Sequence, residues 1–395
     1  MTTTRRVTWS EANARRIARQ GLATPATDPV SAIAGAMLGA HAQVLSAAEL
    51  SVALRVEGAT RADVRGALWT HGTLVKTYGP RGTVHLLAAA DLPLWTGALS
   101  AIPAGSNPLP PEVRMTEEQT EAVLAAIGDA LAHTEADVAA ALTVDELTDA
   151  IVERTGPWAG ERVMEAFQDK WPRWRQVTHL AAHGGLLCFG PNRGRKVTYI
   201  SPRRLLPGLT PMAGPAAHAE LVRRYLRAYG PATPQHFARW LAAPRDWAAG
   251  LFVSLAADGT VEEVLFEGEP AWIAAGDTDF PDAPARGVRL LPYFDAFTVA
   301  SQPRELLFPG RAYERALAGG QAGNFPVLLV DGTVAGVWHQ RRSGRRITVT
   351  VEPVDPRLLT TARRRDLEEQ AERVGEVLEG VAELTVGAVT VGGHA

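Results

Sequence analysis

Cysteine and lysine are nearly absent from this 395-residue chain, and each absence excludes a kind of chemistry. Cys188 is the only cysteine, so an internal disulfide, a cysteine-rich zinc site and a four-cysteine iron–sulfur cluster are excluded. Among the 40 Lys and Arg residues, only Lys76, Lys170 and Lys196 are lysines. Few amines are therefore available as Schiff-base nucleophiles.

Long apolar runs and a large charge of one sign are also missing. No apolar run reaches membrane-spanning length, and the polar start from Met1 to Arg6 lacks the apolar region of a signal peptide. The formal net charge is −3, whereas proteins that coat nucleic acid are usually strongly basic. We therefore expect a soluble cytoplasmic protein with no membrane partner, in which nucleic-acid binding would depend on local arginine clusters.

A repeated pattern is the most informative feature that is present. The segments from His71 to Leu86 and from His183 to Ile200 each read as a helix end, a glycine break and two strands around a Gly/Pro turn. Three helices followed by such a hairpin are typical of a winged helix. The predicted helices are Val30–Ala42, Ser46–Val56 and Arg61–His71 for the first copy, and Glu117–Ala132, Val144–Arg154 and Arg173–His183 for the second.

A looser third copy and a different C-terminal region follow. Ala217–Tyr229 reads as a helix, Thr233 is placed to cap a helix over Gln235–Ala242, and Gly259–Ile273 fits a hairpin. After about Asp277, strand patterns dominate. We predict an α+β fold with winged-helix units at 1–101, 113–202 and 216–276 and a β-rich α+β domain at 286–395.

Five short motifs carry a resemblance to a known family, and they span residues 30–351 in the family's order. They resemble those of the winged-helix DNA glycosylases of the AlkZ/YcaQ type. Each motif alone is a weak signal, but the five together are specific. The motifs are His41-Ala42-Gln43, Arg81-Gly82-Thr83-Val84-His85-Leu86, Arg227-Ala228-Tyr229-Gly230-Pro231, Leu291-Pro292-Tyr293-Phe294-Asp295 and Val330-Asp331-Gly332-Thr333-Val334-Ala335-Gly336-Val337-Trp338.

The resemblance implies an enzyme of base excision repair that removes alkylated purines from duplex DNA. We expect it to act as a monomer in a C shape around the DNA, associated with the nucleoid, without metal or cofactor. The family includes self-resistance enzymes of antibiotic producers, and its catalytic motif is commonly Gln-x-Gln. Here His41 stands at the first position. This His-x-Gln variant resembles a branch associated with bulky natural-product adducts at guanine.

His41 and Gln43 are accordingly the candidate catalytic residues. Two positions apart on a helix they would project about 200° apart, so the predicted helix would have to break beside them. Gln43 can orient a water molecule, and His41 is either a general base or an electrostatic and positioning group. Without the resemblance, a histidine at a helix end is more often a capped or solvated residue. Asp295 either supports the site or caps a helix.

The candidate DNA contacts lie mainly in turns, where a solvated loop is the alternative interpretation. His179 and His183 have the spacing of a metal pair, but they lack the glutamate of a metalloprotease motif, so we predict no metal site. The candidate DNA-binding residues are Arg81, Thr83 and His85 in the first hairpin, Asn192, Arg193, Arg195 and Lys196 in the second, and Arg341 and Arg342 near the C-terminal end.

From the sequence alone, two other classes of protein remain possible. A non-catalytic winged-helix regulator would read a fixed sequence through a basic recognition helix, yet Arg61–His71 and Arg173–His183 carry few cations. A protein that sequesters a toxic small molecule would need an apolar pocket and no DNA.

Overall fold

A computed structural model describes residues 4–105, 107–135, 140–165, 169–317 and 319–394. Contacts within the chain divide it into two compact units. Unit one combines Met1–Ala67 with Leu221–Ala395, and unit two is Leu68–Glu220. Unit one is therefore discontinuous in sequence.

The first segment of the chain contains helices and two short strands. Helix α1 begins at a capping box, in which the Thr8 hydroxyl accepts from the Glu11 amide and the Glu11 carboxylate accepts from the Thr8 amide. The elements are β1 (Arg6–Val7), α1 (Trp9–Arg19), α2 (Val30–Ala36), β2 (Ala40–His41), α3 (Leu45–Ala53) and α4 (Arg61–Trp69).

Helix α1 was not predicted, because its arginines look like a solvated face. Arg16 is instead only 1% exposed, and its guanidinium donates to the carbonyl oxygens of Gly230, Pro231 and Gln302. Buried charges are tolerated when their hydrogen bonds are satisfied. This arginine therefore holds α1 inside unit one.

Unit two has its own apolar core. Trp174, Ile127 and Leu147 are fully buried in it, and the Trp174 indole donates to the Thr148 hydroxyl at 2.9 Å. The elements that lie wholly in unit two are β3 (Leu74–Tyr78), β4 (Val84–Ala88), α5 (Leu92–Ser100), α6 (Glu117–Leu131), β5 (Leu142–Thr143), α7 (Val144–Thr155), β6 (Arg162–Glu165), β7 (Lys170–Pro172), α8 (Thr178–His183), β8 (Cys188–Arg193) and β9 (Lys196–Ile200).

The remaining segment completes unit one with helices and a larger sheet. Helix α10 begins at Thr233, whose hydroxyl accepts from the His236 amide at 3.2 Å, as predicted. The elements are α9 (Gly214–Tyr229), α10 (Pro234–Leu241), α11 (Arg245–Ala257), β10 (Val261–Phe266), β11 (Glu269–Ala274), β12 (Val288–Leu291), α12 (Ala296–Ala300), α13 (Arg304–Leu307), α14 (Arg311–Ala316), β13 (Val327–Val330), β14 (Thr333–Ser343), β15 (Arg346–Pro353), α15 (Thr361–Val377) and β16 (Val381–Val386).

Strands β12 to β16 form one sheet in sequence order. Neighbours are antiparallel up to β15, whereas β15 and β16 run parallel. A parallel pair needs a crossover connection, and α15 supplies it with Leu367, Ala371 and Val374 buried. In a second sheet β1 pairs parallel with β10, and β10 pairs antiparallel with β11.

The mixed α+β fold is confirmed, and the three hairpins β3–β4, β8–β9 and β10–β11 are present. Three α-helices precede the first hairpin, at α2 to α4, and three precede the third, at α9 to α11. The winged-helix interpretation and the unit bounds remain predictions. In the described part of the chain, no helix is long and apolar enough to cross a membrane.

Some bounds differ from the sequence-based ones. The helix predicted over Val30–Ala42 ends at Ala36, and Arg173–His183 starts with a 3-10 turn over Arg173–Val177 before α8. The last strand covers Val381–Val386. Helix α5 and the β6–β7 pair were not predicted.

Candidate active site

The segment that carries His41 and Gln43 is not helical: His41 lies in the short strand β2, and Gln43 lies in a bend between β2 and α3. Leu38 and Gly39 have positive φ angles of 57° and 93°, and this left-handed turn redirects the chain after α2. The hydroxyl of Tyr229 donates to the Met37 carbonyl at 2.5 Å, so α9 holds the end of α2. The chain then enters β2.

Exposure alternates along this segment. His41 is half-buried, Ala42 is 1% exposed, and Gln43 is exposed. The two candidate residues therefore retain exposed surface, whereas Ala42 between them packs inside the protein. The helix break that the chemistry requires is present, but it lies before the pair rather than after it.

Phe294 packs against His41. The two ring centroids lie 4.6 Å apart, with an interplanar angle of 42°. Phe294 has a φ of 54°, and its amide donates to the Gly323 carbonyl at 2.8 Å. A Cβ on Gly323 would lie 3.1 Å from the Phe294 Cα, so this close approach requires glycine. The turn therefore fixes the ring that supports His41.

Tyr293 and His394 extend this aromatic group. The His394 ring lies 5.3 Å from that of Phe294 and 5.8 Å from that of Tyr293, edge-on in both pairs. Edge-to-face aromatic contacts are favourable at these distances. We call His41, Tyr293, Phe294 and His394 the aromatic group.

Asp295 is buried and bound entirely from within the protein. Its carboxylate accepts from both terminal nitrogens of Arg55 at 2.8 and 2.9 Å, from the Ser51 hydroxyl at 2.7 Å and from the Phe297 amide at 3.0 Å. The last bond caps α12. These contacts tie α3 to the turn that presents Phe294, so Asp295 is placed to position the site.

In the first hairpin of unit two, the candidate DNA contacts differ in exposure. His85 is 4% exposed, and its Nδ1 lies 2.9 Å from the Thr83 carbonyl. The Thr83 hydroxyl donates to the Pro80 carbonyl at 3.1 Å. Arg81, half-buried, has a φ of 62° in the turn between β3 and β4. His85 and Thr83 thus shape the turn, and Arg81 lies in it.

The tip of the second hairpin is exposed but partly neutralised. Arg193 contacts the Glu146 carboxylate at 2.9 and 2.8 Å, and the Lys196 amine lies 2.9 Å from Asp145. The Arg193 guanidinium, together with the backbone and hydroxyl of Thr143, lowers the pKa of Glu146 to about 2. Both acids belong to the first turn of α7. Asn192 and Arg195 are exposed.

Arg341 and Arg342 lie at the end of the long β14–β15 hairpin. Both are exposed, but Arg342 also donates to the Leu378 carbonyl at 2.6 Å and the Gly344 carbonyl at 2.9 Å. Of these two arginines, Arg342 is therefore the one whose guanidinium is held by backbone carbonyls.

An arginine group in unit one was missed by the sequence analysis. Arg19, Arg223, Arg224 and Arg227 line one pocket with the end of α2. The signal was available, because Arg223 and Arg227 are four residues apart and share a helical face. Arg19 is paired with Asp277 at 2.5 Å.

No cluster of three potential metal ligands exists among the residues that the structure describes. His179 and His183 face each other with ring centroids 5.8 Å apart. Burial lowers the pKa of His183 to about 4. A neutral, buried ring is typical of a packed histidine.

The comparisons with known proteins define the class. A family model described as "DNA glycosylase AlkZ-like" matches residues 34–377. The chain belongs to this family of DNA glycosylases, as the motifs predicted. It is 30% identical over 409 residues to an interstrand DNA cross-link repair glycosylase of Streptomyces sahachiroi, covering 96% of this chain and 99% of that protein.

A solved structure agrees in fold. The DNA glycosylase AlkZ of Streptomyces sahachiroi superposes with a TM-score of 0.79 at 26% identity, covering 97% of this chain and 100% of that one. These matches give no support to the regulator alternative.

The buried pair generates a stability prediction. Asp295→Ala leaves the Arg55 guanidinium buried without its counter-charge, and we expect it to cost about 3–5 kcal/mol in free energy of unfolding. Urea unfolding measures this. Glu369→Ala is the control, because the Arg365–Glu369 pair is 76% and 67% exposed and such pairs contribute little. Equal effects of the two substitutions would contradict the assignment.

The Glu146–Arg193 contact generates a titration prediction. Arg193→Ala removes the largest cause of the lowered pKa, so the pKa of Glu146 should rise from about 2 towards its ordinary value. It should stay below that value because the Thr143 amide and hydroxyl still donate to the carboxylate. Carboxyl chemical shifts followed between pH 1.5 and 6, a range set roughly by these values, report the change. An unchanged titration would mean that Arg193 does not hold the carboxylate in solution.

Proposed function

We propose that this protein hydrolyses the N-glycosidic bond of alkylated purines in duplex DNA, with bulky N7-guanine adducts as preferred substrates. The observation that supports the proposal is the packing of the Phe294 ring against His41, two residues before the exposed Gln43. The likeness to a cross-link repair glycosylase supports adducts that join the two strands as further substrates.

The residue types suit this reaction. Alkylation at N7 or N3 makes the purine cationic and a good leaving group, and bond cleavage generates an oxocarbenium-like sugar. No strong acid is then needed. Gln43 orients the attacking water through its amide, and neutral His41 accepts a proton from that water or stabilises the charge that develops.

We further propose that the reaction is monofunctional and leaves an abasic site. A lyase step needs an amine, and the chain has three lysines. Lys170 and Lys196 are paired with Glu165 and Asp145, and the Lys76 amine lies 4.8 Å from the Phe189 ring centre. Trapping of a covalent DNA adduct by borohydride would contradict this.

DNA contact is assigned to the hairpin tips of a monomer. Three hairpins have residues with the exposure or position to reach phosphates: Arg81 in β3–β4, Asn192 and Arg195 in β8–β9, and Arg341 in β14–β15. Arg193 and Lys196 would exchange their acidic partners for phosphates. His85 and Thr83 act by shaping their turn. The first two winged-helix units would present the β3–β4 and β8–β9 tips, and the C-terminal domain would present the β14–β15 tip.

The biological setting follows from the substrate. An enzyme that excises bulky alkyl adducts would protect a producer of a DNA-alkylating natural product from its own compound. It would act in base excision repair at the nucleoid, in the cytoplasm.

The decisive test is release of base from defined duplexes. His41→Ala and Gln43→Ala should each lower the single-turnover rate about 100-fold or more on a duplex with a bulky N7-guanine adduct. Alkali cleavage of the resulting abasic sites provides the measurement. His133→Ala and Gln235→Ala, both at exposed positions, are the matched controls. Full activity in both site variants would refute the assigned site, and no base release by the wild type would refute the function.

The neutralised tip gives a binding prediction. Replacing both acids, as Asp145→Asn with Glu146→Gln, should tighten duplex binding and steepen the slope of log K against log salt by up to about 2. Glutamine preserves the capping box of α7. Asp149→Asn with Glu153→Gln removes the same charge from the same helix. An equal gain in that control would show a general charge effect instead of release of Arg193 and Lys196.

A further inference from the structure

A second pocket of unit one lies beside the candidate catalytic pair. It is formed by α3 and its preceding residue Val44, by Pro292 and Tyr293, and by residues of β14. Val44 follows Gln43 in the chain, and Tyr293 precedes Phe294, whose ring packs on His41. Two residues of the pocket wall, Val44 and Tyr293, therefore lie next to Gln43 and to the Phe294 ring that contacts His41. We call it the α3–β14 pocket.

Its wall is mostly apolar and includes several rings. Ala47 and Leu50 contribute aliphatic surface, and Pro292, Tyr293 and Trp338 contribute rings. The Trp338 indole donates to the Leu291 carbonyl at 2.8 Å, which fixes the orientation of the ring. A pocket of this kind is largely preformed and favours a planar apolar ligand.

Ser46, His339 and Gln340 are the polar residues of this wall besides the Tyr293 hydroxyl, and the last two lie on β14. Gln340 lines the pocket, and its buried side-chain oxygen has no hydrogen-bond partner among the described residues. A buried acceptor without a partner is costly, so a donor from a ligand would be favourable here. Burial lowers the pKa of His339, so its ring is neutral at pH 7 and does not repel a cationic ligand.

The chemistry of the pocket wall favours the alkyl substituent of an adduct over a purine base as the ligand. A purine base has several polar edge atoms that need partners, and this wall offers few. The alkyl substituent of an adduct has a larger apolar surface and fewer polar atoms. We propose that the α3–β14 pocket binds the planar, apolar substituent of a bulky adduct, and that Gln340 accepts a hydrogen bond from a donor on it. This rests on the proposed function and adds a specificity determinant to it.

The first experiment reduces the size of the pocket opening by a substitution. Ser46 is exposed and lines it, so Ser46→Phe should fill its mouth without disturbing the core. Two duplexes are compared, one with a polycyclic aromatic group at guanine N7 and one with 7-methylguanine. The ratio of kcat/KM for the bulky over the methyl adduct should fall about 10-fold or more. Ser254→Phe, at an exposed serine of α11 in the same unit, should keep the ratio.

A second measurement, of duplex binding, tests the pocket independently of base release. With Gln43→Ala present to prevent turnover, the ratio of the two duplex Kd values is measured with and without Ser46→Phe. A preference for the bulky duplex that Ser46→Phe abolishes supports the pocket. An unchanged ratio, or no preference to begin with, overturns it. If the wild type releases no base from either duplex, the proposed function fails, while the binding ratios still decide about the pocket.

A second variant tests Gln340. Gln340→Leu removes the acceptor at similar size. The wild type should prefer an aromatic adduct with a phenolic hydroxyl over the same adduct without it, by about 5-fold in kcat/KM and in Kd. The variant should lose this preference. Retention of the preference in Gln340→Leu would overturn the assigned role.

Discussion

The contact between Arg55 and Asp295 is the constraint on which the candidate site depends. It joins α3, which follows Gln43, to the turn that presents Phe294. Both side chains are fully buried. The Ser51 hydroxyl and the Phe297 amide also donate hydrogen bonds to the Asp295 carboxylate. Because each partner would be costly to bury alone, the pair specifies one arrangement of these two segments.

Under the proposed mechanism, rigidity at this point has a chemical use. An amide and an imidazole are weak catalysts, so their effect depends on accurate placement. His41 gains this from the Phe294 ring, and the end of α2 gains it from Tyr229. The α3–β14 pocket shares the same supporting segments, so selectivity and catalysis would respond together to changes in them.

Much of the fold could be predicted from the sequence because its signals are local. Glycine breaks with alternating apolar residues indicated the hairpins, and Thr233 marked the start of α10. Helix α1 could not be recognised, since the burial of Arg16 depends on carbonyls more than 200 residues away. The left-handed turn at Leu38 was hidden for a different reason, because leucine rarely adopts that conformation.

The candidate site was predictable only in part. The pair itself was identified by resemblance, but the short strand and the bend in which His41 and Gln43 lie were not. Phe294 stood in a recognised motif without a role. The Gln340 side chain gave no clue alone, because its significance depends on which segments meet in space.

The discontinuity of unit one has a consequence for how the protein is made. Arg55 and Asp295 are 240 residues apart, so at about 5–20 residues per second the ribosome needs roughly 10–50 s between them. A nascent chain that already carries His41 and Gln43 still lacks Phe294 and the buried pair. Assembly of the site is thus a late event of synthesis, and chains released early carry the motif without its support.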